Sequence, residues 1–137
     1  MITIKNRFIP FGSYTTINLF GILFTKKDLS HKVYNHEAIH SAQMIECTII
    51  GIAIILSAIL AFKISFWWLF TSVLLYYILY CLEYIFIRLF HSKQSDAYHD
   101  VSFEEEAYNN DDDLSYLKHR KPFSWIKYLK IKSYGKR

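Results

Sequence analysis

Cysteine, proline and glycine are all scarce in this chain of 137 residues, which holds two, two and four of them. Two cysteines, Cys47 and Cys81, make no disulfide framework. Each lies inside an apolar segment and reads as a small buried hydrophobe, with a bridge between antiparallel helices as the minor alternative. No low-complexity linker and no internal repeat divides the chain, so a single domain over residues 1–137 is expected. A secretory signal is missing too. Lys5 and Arg7 precede an apolar stretch, but Pro10, Gly12 and Asn18 interrupt it and no small-residue cleavage site follows. The net charge of +4 is not accompanied by a nucleic-acid motif. Lys and Arg instead flank apolar runs, which points to anionic lipid headgroups as the partner.

Charge itself is absent over long stretches. Residues 47–62 and 64–82 carry none, with Lys63 alone between them. Counted from Ala42, with Glu46 as its one charge, the first stretch is 21 residues long, close to the ~20 that a helix needs to cross a bilayer. Trp67 and Trp68 stand near the tight turn, where an aromatic belt would lie. The middle of the chain therefore predicts a helical hairpin: residues 31–62, begun by Ser30 as N-cap, and residues 64–90. The competing reading is a hairpin buried in a soluble bundle. Five Lys/Arg precede the first span and ten follow the uncharged part of the second, so both termini are expected on the cytoplasmic side. Residues 1–30 alternate loosely around a turn at Pro10-Phe11-Gly12. Within them the apolar run 17–24, too short to span, reads as a strand or an interfacial segment. Residues 91–122 are polar. Residues 123–137 mix aromatics with lysines like a basic interfacial tail.

What is present on the first helix is His36-Glu37-Ala38-Ile39-His40. Two histidines four apart project from nearly one face and can share a metal ion. Zinc suits neutral imidazole nitrogens and a tetrahedral site with one position left for water. A Glu directly after the first His lies beside that open position. It can take a proton from the attacking water and pass it to the leaving group. Gln43 and Cys47 continue the same face toward the membrane. A third ligand is needed, and Glu104, Glu105 and Glu106 stand together in a segment that Ser102 can cap as a helix. On their own they also read as a solvated acidic first turn.

The combination resembles the gluzincin metallopeptidases, especially the CAAX prenyl protease and heat-shock membrane protease group. It is similar as well to small Bacteroidetes-type membrane proteins that share H-E-x-x-H-x-x-Q and F-E-x-E-A-Y, a likeness that brings no activity with it. In the gluzincins the third ligand is the Glu of E-x-x-A, and Glu104-Glu105-Glu106-Ala107 matches, which implies Glu104 as ligand. Those proteases follow the Ala with an Asp that supports a motif histidine, whereas this chain has Tyr108. Asp100, Asn109 and Asp111 are the candidates to replace it. Arg120 and Tyr108 are weaker candidates for an oxyanion donor. Glu83 and Arg88 read as an interfacial pair, or Arg88 as a partner of Glu46; His91, His99 and His119 read as surface histidines.

The expected fold is mainly α, a membrane helical hairpin with cytoplasmic helices packed around a zincin-type metal site. The expected function is an integral membrane zinc metallohydrolase of a bacterial inner membrane. It would be a peptidase with Zn2+ on His36, His40 and Glu104 and with Glu37 as general base. Membrane lipid and a peptide or protein substrate are the expected partners, nucleic acid is not, and two spans leave room for a homo-oligomer. The alternative is a non-catalytic scaffold or partner protein with a structural or vestigial metal site. A third reading turns the same zinc chemistry on a lipid ester.

Overall fold

The computed structural model describes residues 2–12, 15–90 and 97–129. Within them the chain is mainly helical with one small sheet. Strands β1 (Ile2–Lys5), β2 (Thr16–Leu19) and β3 (Ile22–Thr25) lie in the order β1-β3-β2, with β1 parallel and β2 antiparallel to β3. The apolar run 17–24 is thus strand, but folded back on itself. Phe20 and Gly21 both take positive φ, 53° and 78°, the two-residue turn whose twist matches paired strands. That backbone is unfavourable for a bulky residue. It is held here by Tyr77, whose hydroxyl accepts the Phe20 N–H at 3.0 Å and whose ring meets the Phe20 ring edge-on.

Helix α1 (His31–Phe62) begins where expected. Ser30 sits in extended backbone and its side chain accepts from the Val33 N–H, which satisfies one of the unpaired first-turn donors. The helix ends at Lys63, which adopts left-handed backbone and returns its N–H to the Ile59 carbonyl.

The second apolar stretch departs from a continuous α-helix. Phe66–Leu74 is a 3-10 helix, and only α2 (Leu75–Phe90) is α-helical. The Thr71 and Ser72 hydroxyls donate to carbonyls three residues back, Trp68 and Leu69, at 2.7 Å each, the spacing of the tighter helix. This segment packs on α1 at Gly51, where an added Cβ would stand 2.8 Å from the Ser72 carbonyl oxygen. A small residue is what permits that approach. Gly51→Val is expected to lower stability by about 1–3 kcal/mol, because the clash is with backbone and outweighs the ~1 kcal/mol that glycine costs a helix. An unchanged unfolding midpoint in detergent would contradict the tight crossing.

Two helical stretches, His31–Phe62 and Phe66–Phe90, are long and apolar enough to cross a membrane. Their most apolar windows are only 17% and 11% buried, so among the described residues the hairpin is not the core of a bundle. Ile49, Ile54, Leu60, Phe70 and Leu82 all point outward.

Helix α3 (Ser102–Asn110) lies across the motif end of the hairpin. Ser102 does not cap it, contrary to expectation. Val101 holds the cap position without a side-chain bond, and Glu83 of α2 accepts both the Ser102 N–H (2.9 Å) and hydroxyl (2.7 Å). A carboxylate at a helix N-terminus also suits the helix dipole. Glu83 is therefore not paired with Arg88, whose described bond is to the Tyr84 hydroxyl.

The chain continues through the four-residue α4 (Tyr116–His119) and a 3-10 turn, Ser124–Tyr128. The described part of the expected interfacial tail is partly inward: Trp125 is buried and stacks near Phe103, with ring centres 4.6 Å apart. Met44, Cys47, Tyr76, Ile87, Val101, Phe103 and Trp125 form the main core. A second cluster of Ile39, Ala107 and Tyr116 lies nearer the motif. Both cysteines are free, Cys47 buried and Cys81 exposed. His91 and residues 130–137 of the tail lie outside the described residues.

Candidate metal centre

The helical spacing of His36 and His40 turns both imidazoles to one side of α1, and α3 delivers Glu104 to the same point. The two Nε2 atoms are 3.0 Å apart, and Glu104 Oε2 is 3.4 Å from each. A tetrahedral ion with bonds of ~2.0–2.1 Å spaces its ligand atoms ~3.3–3.4 Å apart, so the triangle has the size that such an ion requires. Glu104 Oε2 is buried and makes no hydrogen bond of good geometry, an arrangement that is costly unless something positive sits against it. His36, His40 and Glu104 can therefore hold a metal ion. Burial opposes the charge on Glu104, but the adjoining His36, His40 and Tyr98 side chains outweigh it and hold the carboxyl well below the usual range.

Each ligand is braced from behind. Tyr80 donates to the other Glu104 oxygen, Oε1, at 3.0 Å, which leaves Oε2 as the single inward atom. His40 Nδ1 lies 2.8 Å from Gln43 Oε1, with the Tyr76 hydroxyl 3.3 Å from the same nitrogen. His36 Nδ1 lies 3.5 Å from Asp111 Oδ2. Of the three candidates to support a motif histidine, Asp111 is the one found there, and Lys32 pairs with its other oxygen at 3.2 Å. Asn35 fixes that corner by donating to the carbonyls of Asn110, Asp111 and Asp113 at 3.0–3.1 Å. Tyr108 lies against the His36 ring, centroids 4.6 Å apart, and also against His99 at 4.5 Å. Tyr108 thus meets His36 through its ring, and the carboxylate beside His36 is that of Asp111, three residues later.

Glu37 contributes no atom to the triangle. It is half-buried beside it, within electrostatic reach of His36, His40 and Glu104. Asn18 comes from β2 and donates to the Glu37 backbone carbonyl at 2.9 Å and the Ser41 hydroxyl at 3.0 Å. This side chain ties the sheet to the motif turn.

Arg120 is not an oxyanion donor. Its guanidinium is engaged by Glu46 (Nη1 to Oε1, Nη2 to Oε2 at 3.2 Å) and by Glu106 (Nε to Oε1 at 2.7 Å, Nη2 to Oε2 at 3.1 Å). Glu46 is thereby the partner of Arg120, and of the Trp125 indole N–H at 3.2 Å, rather than of Arg88. Burial disfavours the Arg120 charge, and the two carboxylates more than offset it, so its pKa is raised further. His119 is exposed and lies 3.6 Å from Asp113.

Sequence spacing alone singles out His36 and His40, whereas only the E-x-x-A resemblance picks Glu104 from its neighbours. Gln43 carries a signal as well, being three residues beyond His40 on a helix, although spacing does not reveal its bond to the imidazole. Tyr80 and Asn18 carry none, because both reach the site from other elements. No protein-family model, curated protein or solved structure matches the chain.

Proposed function

We propose that the protein is an integral membrane zinc metallohydrolase that cleaves peptide bonds at the cytoplasmic membrane surface. The observation that carries this reading is the triangle of His36, His40 and Glu104, sized for a tetrahedral ion and centred on a buried carboxylate oxygen without a hydrogen bond. Three protein ligands on a donor set of two imidazoles and one carboxylate leave a fourth position for water, as in catalytic rather than structural zinc sites. Zinc held there would acidify that water and polarise the substrate carbonyl. The chain's own residues do the rest. Glu37 takes the water proton as the oxygen bonds to the carbonyl carbon, then gives it to the amine nitrogen as the C–N bond breaks. Gln43, Asp111 and Tyr80 keep the three ligands aimed inward.

The membrane placement is supported by the outward apolar faces of the hairpin and by the excess of Lys and Arg on the terminal segments over the loop at Lys63. Helix α1 runs without a break from His40 to the start of the uncharged stretch at Cys47, a rise of ~10 Å. The metal site would then stand just outside the hydrocarbon. Glu46, next to that boundary, is neutralised by Arg120, as a carboxylate entering an apolar medium requires.

Protein purified in detergent with zinc supplied is expected to carry it stoichiometrically by elemental analysis. Glu104→Ala should weaken binding by more than the ~10–100-fold that loss of a supporting partner costs. A wild-type protein without zinc under those conditions would sink the reading.

A further inference from the structure

Glu106 is wholly buried two residues beyond Glu104, yet it contributes no atom to the metal triangle. Its oxygens accept from four directions: Tyr116 hydroxyl (2.7 Å) and Arg120 Nε (2.7 Å) on Oε1, Gln43 Nε2 (2.9 Å) and Arg120 Nη2 (3.1 Å) on Oε2. Gln43 has two amide hydrogens. One goes to Glu106 and the other to the Phe103 carbonyl at 2.9 Å. Its Oε1 is therefore the atom that faces His40 Nδ1, and a carbonyl oxygen can only accept. In the neutral ring Nδ1 must then carry the proton, and Nε2 is left with a bare lone pair on the side of His36 and Glu104. A metal needs that tautomer, since a ligating nitrogen cannot hold a hydrogen.

The orientation of Gln43 is what decides the tautomer, and Glu106 and the Phe103 carbonyl together hold that orientation. With a carboxylate at 106, a flipped Gln43 would set its oxygen against two acceptors. With an amide at 106, Arg120 Nε and Tyr116 would still demand an oxygen at Oε1, so the amide nitrogen would fall at the position facing Gln43. That nitrogen would oppose the Gln43 amide as well as Arg120 Nη2, and a Gln43 turned to accept from it would then set its oxygen against one acceptor, the Phe103 carbonyl, instead of two. Gln43 would then donate to His40 Nδ1, and the proton would move to Nε2, where the metal must bind.

We propose that Glu106 is a positioning residue that sets the tautomer of His40 through Gln43, so that Nε2 is bare before any metal arrives. The consequence for metal binding rests on the zinc reading above, whereas the tautomer is a property of the metal-free chain. Isosteric Glu106→Gln is the direct test. In metal-free protein with 15N-labelled histidine, the His40 imidazole is expected to change from the Nδ1–H to the Nε2–H form. Co2+ affinity by chelator competition should fall ~10–100-fold, the usual cost of losing a ligand's supporting partner. In a Gln43→Leu background the same Glu106→Gln change should leave tautomer and affinity unaltered, because the link to His40 runs through the Gln43 amide. Ile87→Ala, which removes buried side chain in the main core, serves as a control that lowers stability without altering the tautomer. An Nδ1–H imidazole in Glu106→Gln, or an effect of Glu106→Gln that persists in the Gln43→Leu background, overturns the proposal. If wild type binds no Co2+ while the tautomer still switches, the metal reading fails and the positioning role stands.

Discussion

Glu37→Gln is expected to leave zinc content and folding unchanged and to lower peptide hydrolysis about 10²–10⁴-fold, the range a general base supplies. The two halves of this expectation have separate structural grounds. Glu37 gives no atom to the His36–His40–Glu104 triangle, so its charge is not needed to hold the ion in place. Asn18 ties this turn through the Glu37 backbone carbonyl, which an amide of the same shape leaves untouched. What the amide cannot do is accept the water proton. Activity against a fluorogenic peptide, measured beside zinc content on the same preparation, checks both halves. Full activity in the variant would remove Glu37 from the mechanism. Loss of zinc together with activity would mean that Glu37 holds the site rather than working in it.

The parts of this molecule legible in its sequence are those encoded by short spacing. The i, i+4 pair His36 and His40 needs only a helix to meet, Ser30 needs only its own first turn, and two uncharged runs need only length. A pattern singles out Glu104 from its two neighbours, and α3 does turn it inward. The failures share a physical cause. Ser102 reads as a cap because caps are usually local, but the acceptor is Glu83, nineteen residues earlier, which arrives only when α2 packs on α3. The 3-10 stretch Phe66–Leu74 is apolar on every side, so hydrophobic period does not separate it from α-helix. Arg120 reads as a candidate oxyanion donor because its partners are not its neighbours in sequence. Both carboxylates that bind it come from other helices, one of them 74 positions away. Tyr108 shows the limit of pattern matching in another way. The departure from the familiar aspartate is visible, but its replacement by Asp111 depends on how Asn35 holds the chain after α3.

Arg120→Ala is expected to be the most destabilising single change in the chain outside the apolar core, at about 3–5 kcal/mol. That is a large share of the ~5–15 kcal/mol by which a domain is stable. The guanidinium is almost wholly enclosed, at 5% side-chain exposure, between Glu46 on α1 and Glu106 on α3. Removing it leaves two buried carboxylates facing each other without a cation. Arg120→Lys should recover little, because a single ammonium cannot reproduce the three nitrogens that Arg120 spreads over both partners. Equilibrium unfolding in detergent measures both. The informative case is the triple change Arg120→Met, Glu46→Leu, Glu106→Met. Apolar replacement of a buried ion cluster is often neutral or stabilising, so this protein should unfold near or above the wild-type midpoint. Glu106 is also the residue that orients Gln43, so the same protein should bind metal poorly. A triple variant that is both stable and a wild-type metal binder would reduce the cluster to one packing solution among several. Recovered stability with weakened metal binding would show that the charges are retained for the site and not for the fold.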